Sequence, residues 1–124
     1  MSIPLRWAAV AAARMQLWLP VVLWAGLIFA LSSLPGLGTG LGTWDLVLRK
    51  LAHVGEYAVL GALLLRALAR EPLAFLLGSL YAATDELHQS FVSGREGSPV
   101  DWLIDTAGVA LGVLLYARWA SSRA

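Results

Sequence analysis

The fold is decided by a stretch near the carboxyl terminus, residues 99–117, which reads PVDWLIDTAGVALGVLLYA. This run is apolar and long enough to cross a bilayer, because a spanning helix needs about 20 mostly apolar residues. At about 100° per residue, Asp101, Asp105, Gly108 and Gly112 fall on one stripe of the helix. The Gly-x-x-x-Gly spacing is typical of close packing between membrane helices. We therefore expect the stripe to face another helix, with its carboxylates pointing into a bundle.

The composition of the whole chain also favours a lipid environment. The chain has 124 residues, of which 59% are hydrophobic and 14% charged. A soluble domain is closer to half apolar and a quarter charged, so this composition excludes disorder and disfavours a soluble globule. Four spans of about 20 residues would use roughly 80 residues, which leaves no room for a second domain. The apolar runs are continuous rather than alternating, which argues against a spanning β-barrel.

Three other apolar runs are also expected to span the membrane. The predicted fold class is an all-α integral membrane protein, with four transmembrane helices in an antiparallel bundle and a single domain over residues 1–124. The predicted spans cover about residues 17–34, 50–69, 72–91 and 99–117. Pro72 and Pro99 fall in the first turn of a helix, where proline is tolerated. A cleaved signal peptide is an alternative for the first run, but the run is long enough to span, and we favour a membrane helix.

The distribution of basic residues predicts the orientation. Six Lys and Arg residues lie in the amino tail, the second connection and the carboxyl tail, whereas Arg49, Lys50 and Arg95 lie in the other two connections. Because cytoplasmic loops carry the excess of basic residues, both termini are predicted to be cytoplasmic. Loops 35–49 and 92–98 are then expected outside the plasma membrane. The net charge of +1 is too balanced for a nucleic-acid-binding surface, so no nucleic acid is expected as a partner.

Ionisable residues in the spans are the candidates for function. A charged group inside a membrane is unfavourable unless it is paired or hydrated. Each such residue is therefore a candidate for a functional role. In the predicted topology, the start of the second helix, the end of the third and the start of the fourth share one depth near the outer interface. The predicted ligand-binding residues at this depth are His53, Glu56, Tyr57, Asp85, Glu86, Gln89, Arg95, Asp101 and Asp105.

The same region supplies candidates for acid and base catalysis, namely Asp85, Glu86, His53 and His88. Neither histidine lies in a His-Glu-x-x-His or other strong zinc motif, so no metal or other cofactor is assigned. A divalent cation held between these groups is a minor alternative. The chain has no cysteine, which excludes disulfides and thiolate metal sites. Gly108 and Gly112 are interpreted as packing surfaces rather than as parts of a site.

At these positions the chain resembles the VanZ-like family of small integral membrane proteins, which is named for a protein associated with teicoplanin resistance. The resemblance covers about residues 50–115, over three helices. The matching residues are Lys50, His53 and Tyr57, then Asp85, Glu86, Gln89 and Phe91, then Gly94 and Arg95, and finally Ser98, Asp101, Asp105, Gly108 and Gly112. The resemblance implies a multi-pass membrane protein with a role in glycopeptide resistance, but it implies no defined reaction.

Three functional hypotheses follow from the residues and the resemblance. The first is an outward-facing polar, acidic pocket that recognises a lipid-linked envelope molecule or a lipophilic glycopeptide antibiotic. The second is a membrane-embedded enzyme that acts on a lipid or a lipid-linked phosphate or sugar. The third is a small transporter subunit, which we rank last because the acids cluster at one end of the helices. The expected partners are membrane lipids or amphiphilic small molecules, and the oligomeric state is left open.

Overall fold

The computed structural model of the chain describes residues 3–33, 43–92 and 98–123. Over these residues it contains α-helices and no strands. The helices are α1 (Ile3–Ser32), α2 (Thr43–Leu68), α3 (Glu71–Gln89) and α4 (Pro99–Ser122). The all-helical prediction is therefore confirmed.

Three of the four helices are long and apolar enough to cross a membrane. The qualifying segments are Leu5–Ser32 in α1, Val47–Leu68 in α2 and Pro99–Ser122 in α4. Large apolar side chains such as Leu23 and Leu114 are exposed on these helices, which is the arrangement expected of a surface that faces lipid. A fourth crossing by α3 and the antiparallel bundle remain predictions.

Two helices begin earlier than the predicted spans. α1 begins at Ile3 and α2 at Thr43, so residues 43–49, which were predicted to be loop, are helical. Residues 43–54 contain neither glycine nor proline, so no residue there interrupts the helix. The prediction was wrong here because hydropathy marks the part of a helix that suits lipid, and a helix can continue past that part into the interface.

The turns at the helix ends agree with their local sequence. The Ser98 side chain accepts a hydrogen bond from the backbone N–H of Asp101 at 3.0 Å, and Pro99 occupies the first helical position. This is the favoured start of a helix, and Ser98 therefore caps α4. Between α2 and α3, Ala69 adopts a left-handed conformation with φ of 58°, which ends α2 within one residue.

The core lies along α2. This helix packs most extensively on α4 and also contacts α1 and α3, whereas α1 and α4 do not touch within the described ranges. The largest fully buried side chains are Tyr57, Ile28, Leu60, Val109 and Asp105. One of these five is a carboxylate, so the centre of the helix packing is partly polar.

Glycines set the separation between α2 and α4. A Cβ added at Gly108 would lie 2.7 Å from the carbonyl oxygen of Val54, and one added at Gly112 would overlap the carbonyl oxygen of Ala58. Only glycine permits such a close approach of two backbones. The contacts follow the same order along both helices, so α2 and α4 run in the same direction. Their amino-terminal turns therefore lie side by side.

We predict that Gly112→Ala destabilises the α2–α4 contact, because the new methyl group would meet backbone that cannot move aside cheaply. The expected loss is about 1–3 kcal/mol in the free energy of unfolding, measured by SDS titration of the purified protein. Gly55→Ala is the matched control, since nothing lies within 4 Å of a Cβ at that position of α2. Equal stabilities for the two variants would contradict the packing described here.

Candidate functional site

The polar ends of three helices meet at one place. His53 and Tyr57 lie one turn apart on α2, Asp85 and Glu86 are adjacent near the end of α3, and Asp105 lies in the second turn of α4. The common direction of α2 and α4 puts His53 beside Asp105. The end of α3 reaches the start of α4, where the backbone N–H of Ser98 donates to the Glu86 carboxylate at 3.4 Å.

We call His53, Asp85, Glu86 and Asp105 the acidic cluster. Each of these residues offers one nitrogen or oxygen atom, and the four atoms lie within 4.8 Å of one another. His53 Nδ1 is 3.0 Å from Asp105 Oδ1. One carboxylate oxygen of Glu86 lies within 4.8 Å of one carboxylate oxygen of Asp105. The cluster is thus a compact group of potential proton or cation ligands from three helices.

The three carboxylates of the acidic cluster are buried and incompletely paired. Asp85, Glu86 and Asp105 are only 3, 6 and 0% exposed, respectively. Each has one oxygen without a hydrogen-bond donor among the described residues: Asp85 Oδ1, Glu86 Oε1 and Asp105 Oδ2. An unsatisfied buried polar atom costs about 1–3 kcal/mol, and more when it carries charge. A proton or a bound cation at these oxygens would lower this cost.

A second polar pair joins the acidic cluster to the protein surface. Lys50, one turn before His53 on α2, forms an ion pair with Asp101 in the first turn of α4. Their side chains are 35 and 21% exposed, and His53 is half-buried. We call Lys50 and Asp101 the surface pair. The exposure of the side chains therefore decreases across the site, from this partly exposed pair to the enclosed carboxylates.

Hydrogen bonds from neighbouring groups fix the orientation of the site. The Tyr57 hydroxyl donates to Asp85 Oδ2 at 2.7 Å. The Gln89 side chain donates to the same oxygen at 3.4 Å and to the Ser32 hydroxyl at 3.2 Å. The Trp24 indole donates to the backbone carbonyl of Glu56 at 2.8 Å. These bonds tie α1 to the two helices that carry most of the acidic cluster.

Most of the predicted site residues come together. His53, Tyr57, Asp85, Glu86, Gln89 and Asp105 form one contiguous group, and Asp101 lies beside it through Lys50. Glu56 is close enough to Asp105 for their charges to interact, although it is not a member of the acidic cluster. Arg95 lies outside the described residues.

The structure places His88 away from the acidic cluster. Its ring stacks on Phe29 of α1, with centroids 4.3 Å apart, and its Nε2 is 3.5 Å from the Ser33 hydroxyl. These two contacts direct the His88 ring toward the end of α1. The geometry therefore gives no support to a shared catalytic role for His88 and the acidic cluster.

Sequence reasoning missed Ser32 as part of the site's surroundings. This serine is buried at the end of α1 and accepts a hydrogen bond from Gln89. A polar residue at the end of the first predicted span would share the depth of the other polar residues, and this position is visible in the sequence.

Helices suited to a membrane, with buried carboxylates contributed by two of the described helices, define the class as a polytopic membrane protein with a polar interior. The family model described as VanZ/LLP1 matches residues 3–120. The chain therefore belongs to the VanZ/LLP1 family, which confirms the resemblance seen in the sequence. No curated protein and no solved structure matches the chain.

We predict a measurable coupling between Tyr57 and Asp85. Tyr57→Phe removes a donor from a buried carboxylate, and Asp85→Asn removes the charge that needs the donor. In a double-mutant cycle the two changes should be non-additive by about 1 kcal/mol, close to the range measured for membrane hydrogen bonds. SDS titration gives the unfolding free energies. Tyr116→Phe serves as the control, and strictly additive effects would contradict a bond between Tyr57 and Asp85.

Proposed function

We propose that this protein binds the polar headgroup of an amphiphile at the outer face of the membrane, either a lipid-linked envelope molecule or a lipophilic glycopeptide antibiotic. The proposal depends on one observation, which is that exposure decreases across the site from the partly exposed surface pair to the enclosed carboxylates. The association of the family name with glycopeptide resistance supports the same class of ligand.

The surface pair supplies the chemistry for recognising a headgroup. An ion pair that is partly exposed contributes only about 0–1 kcal/mol, so a ligand can separate Lys50 from Asp101 at little cost. The Lys50 ammonium would then donate hydrogen bonds to a phosphate or carboxylate, and the Asp101 carboxylate would accept them from an amine or hydroxyl. Arg95 is proposed as a second cation for an anionic headgroup, because its planar guanidinium suits phosphate.

Apolar residues near the surface pair suit the tail of such a ligand. Leu51 and Leu48 on α2 and Leu103 on α4 are close in sequence to Lys50 and Asp101, and all three are exposed. Exposed leucines on a membrane helix contact acyl chains. A ligand with a charged headgroup and a hydrocarbon tail would therefore meet compatible groups along its whole length.

We further propose that all four helices cross the membrane in alternating directions, with both termini in the cytoplasm. α3 has 19 residues, close to the length of about 20 that a crossing requires. The contacts Ser98–Glu86 and Trp102–Ser79 follow opposite orders along α3 and α4. These contacts and the common direction of α2 and α4 support an alternating arrangement. With both termini in the cytoplasm, this arrangement would put the surface pair at the outer face.

The orientation can be tested by cysteine labelling, because the chain has no cysteine of its own. We expect a membrane-impermeant maleimide to label Glu96→Cys in intact cells and to label Ser122→Cys only after permeabilisation. The physical basis is the excess of basic residues beside the termini. The reverse pattern would place the surface pair in the cytoplasm and contradict the proposed site of recognition.

Ligand binding should depend on both members of the surface pair. With the purified protein in nanodiscs treated with EDTA, and with teicoplanin and undecaprenyl phosphate as separate probes, we expect Lys50→Gln and Asp101→Asn to weaken binding of at least one probe about tenfold. That change corresponds to about 1.4 kcal/mol. Glu71→Gln is the matched control, because Glu71 is an exposed acid at the other end of α3. Unchanged binding by both site variants, or no binding by the wild type, would contradict the proposal.

A membrane-embedded enzyme is the second candidate. The observation in its favour is the close approach of the Glu86 and Asp105 carboxyl groups beside His53, since such a group can supply one proton donor and one acceptor. Product formed from a lipid-linked probe by the wild type, but not by Glu86→Gln, would favour this candidate over simple binding.

A further inference from the structure

Among the described residues, the acidic cluster carries more negative charge than its ion pairs and hydrogen bonds offset. It holds three carboxylates and one imidazole, and the carboxylates are almost completely enclosed. Lys50 is near, but it already forms an ion pair with Asp101. Uncompensated carboxylates in an enclosed site within a membrane protein are strongly unfavourable. The imbalance points to a positively charged ligand.

The hydrogen bonds of the acidic cluster show where such a ligand would bind. Tyr57 donates to one oxygen of Asp85, and Ser98 donates to one oxygen of Glu86. His53 contacts one oxygen of Asp105. The second oxygen of each carboxylate is buried and has no donor among the residues that the structure describes. Carboxylates that bind metals show the division seen at Asp85 and Glu86, with one oxygen held by an outer partner and the other directed to the ion.

We propose that the acidic cluster binds one divalent transition-metal cation, with His53, Asp85, Glu86 and Asp105 as its ligands. One imidazole nitrogen and three carboxylate oxygens suit Zn²⁺ or Mn²⁺ better than Mg²⁺ or Ca²⁺, which prefer oxygen ligands alone. The sequence contains no familiar zinc motif because the ligands come from three different helices.

The dimensions of the acidic cluster fit an ion of this size. The four candidate ligand atoms lie within 4.8 Å of one another. With metal–ligand bonds of about 2.1 Å, ligand atoms on opposite sides of an ion are about 4.2 Å apart. Small side-chain movements would therefore complete the coordination. The site is too enclosed for a headgroup, whereas a single ion fits between the carboxylates.

The proposed metal site is the acidic cluster, whereas the proposed headgroup site is the surface pair. The two proposals can therefore fail separately. Ion binding is measured without any amphiphile, and amphiphile binding is measured in the presence of EDTA. If the protein binds an ion but no amphiphile, the headgroup proposal is wrong. If it binds an amphiphile but no ion, the metal proposal is wrong.

The test uses the full-length protein, purified in detergent, stripped with EDTA and titrated with Zn²⁺, Mn²⁺ and Mg²⁺ in turn. We expect about one Zn²⁺ or Mn²⁺ per chain, bound at least tenfold more tightly than Mg²⁺. Asp105→Asn and Glu86→Gln should each weaken binding at least tenfold, and Glu71→Gln should bind as the wild type does. Co²⁺ serves as a spectroscopic probe, and its visible absorption spectrum should change in His53→Gln.

The proposal is overturned if the wild type binds no stoichiometric ion, if Mg²⁺ binds as tightly as the transition metals, or if both cluster variants bind like the wild type. A Co²⁺ spectrum that is the same in His53→Gln would also contradict it. Circular dichroism establishes whether each variant remains helical. Should a variant unfold, the wild-type stoichiometry and Co²⁺ spectrum still decide the question.

Discussion

Gly108 and Gly112 let α4 lie directly against the backbone of α2, and the arrangement of the site depends on this contact. The two helices run in the same direction. Their close approach at Gly108 and Gly112 therefore also keeps their amino-terminal turns side by side. Lys50 then meets Asp101, and His53 meets Asp105. A larger residue at either glycine would separate the backbones and move apart side chains that interact over about 3 Å.

The site is enclosed at one end and partly open at the other. Asp105 is fully buried, whereas the surface pair retains contact with the exterior. In a lipid environment the enclosed end is the unfavourable part, since hydrocarbon offers no water to solvate its carboxylates. A cation at the enclosed end and a headgroup at the open end would each remove part of this unfavourable energy. The residues that make the helix packing costly are therefore the ones that would supply the proposed binding chemistry.

Much of this organisation could be predicted from the sequence. The stripe formed by Asp101, Asp105, Gly108 and Gly112 predicted that α4 faces another helix. The predicted order of the spans put Tyr57 and Asp85 at a common depth. Helix ends were predicted less well, because hydropathy does not show how far α2 extends beyond lipid. The position of His88 depends on Phe29, and α1 has no polar pattern that marks the face carrying this ring. The pairing of individual carboxylate oxygens depends on distances of a few ångströms, which the sequence does not contain.

The central claim is that α2 and α4 bring His53 and Asp105 together inside the folded protein. The absence of native cysteines allows a direct measurement, in which His53→Cys and Asp105→Cys are combined and oxidised in native membranes. The account predicts an intramolecular disulfide, seen as a mobility shift that a reductant reverses. The control combines His53→Cys with Leu103→Cys, which is exposed on α4, and no disulfide is expected there. A disulfide in the control but not in the test pair would contradict the account.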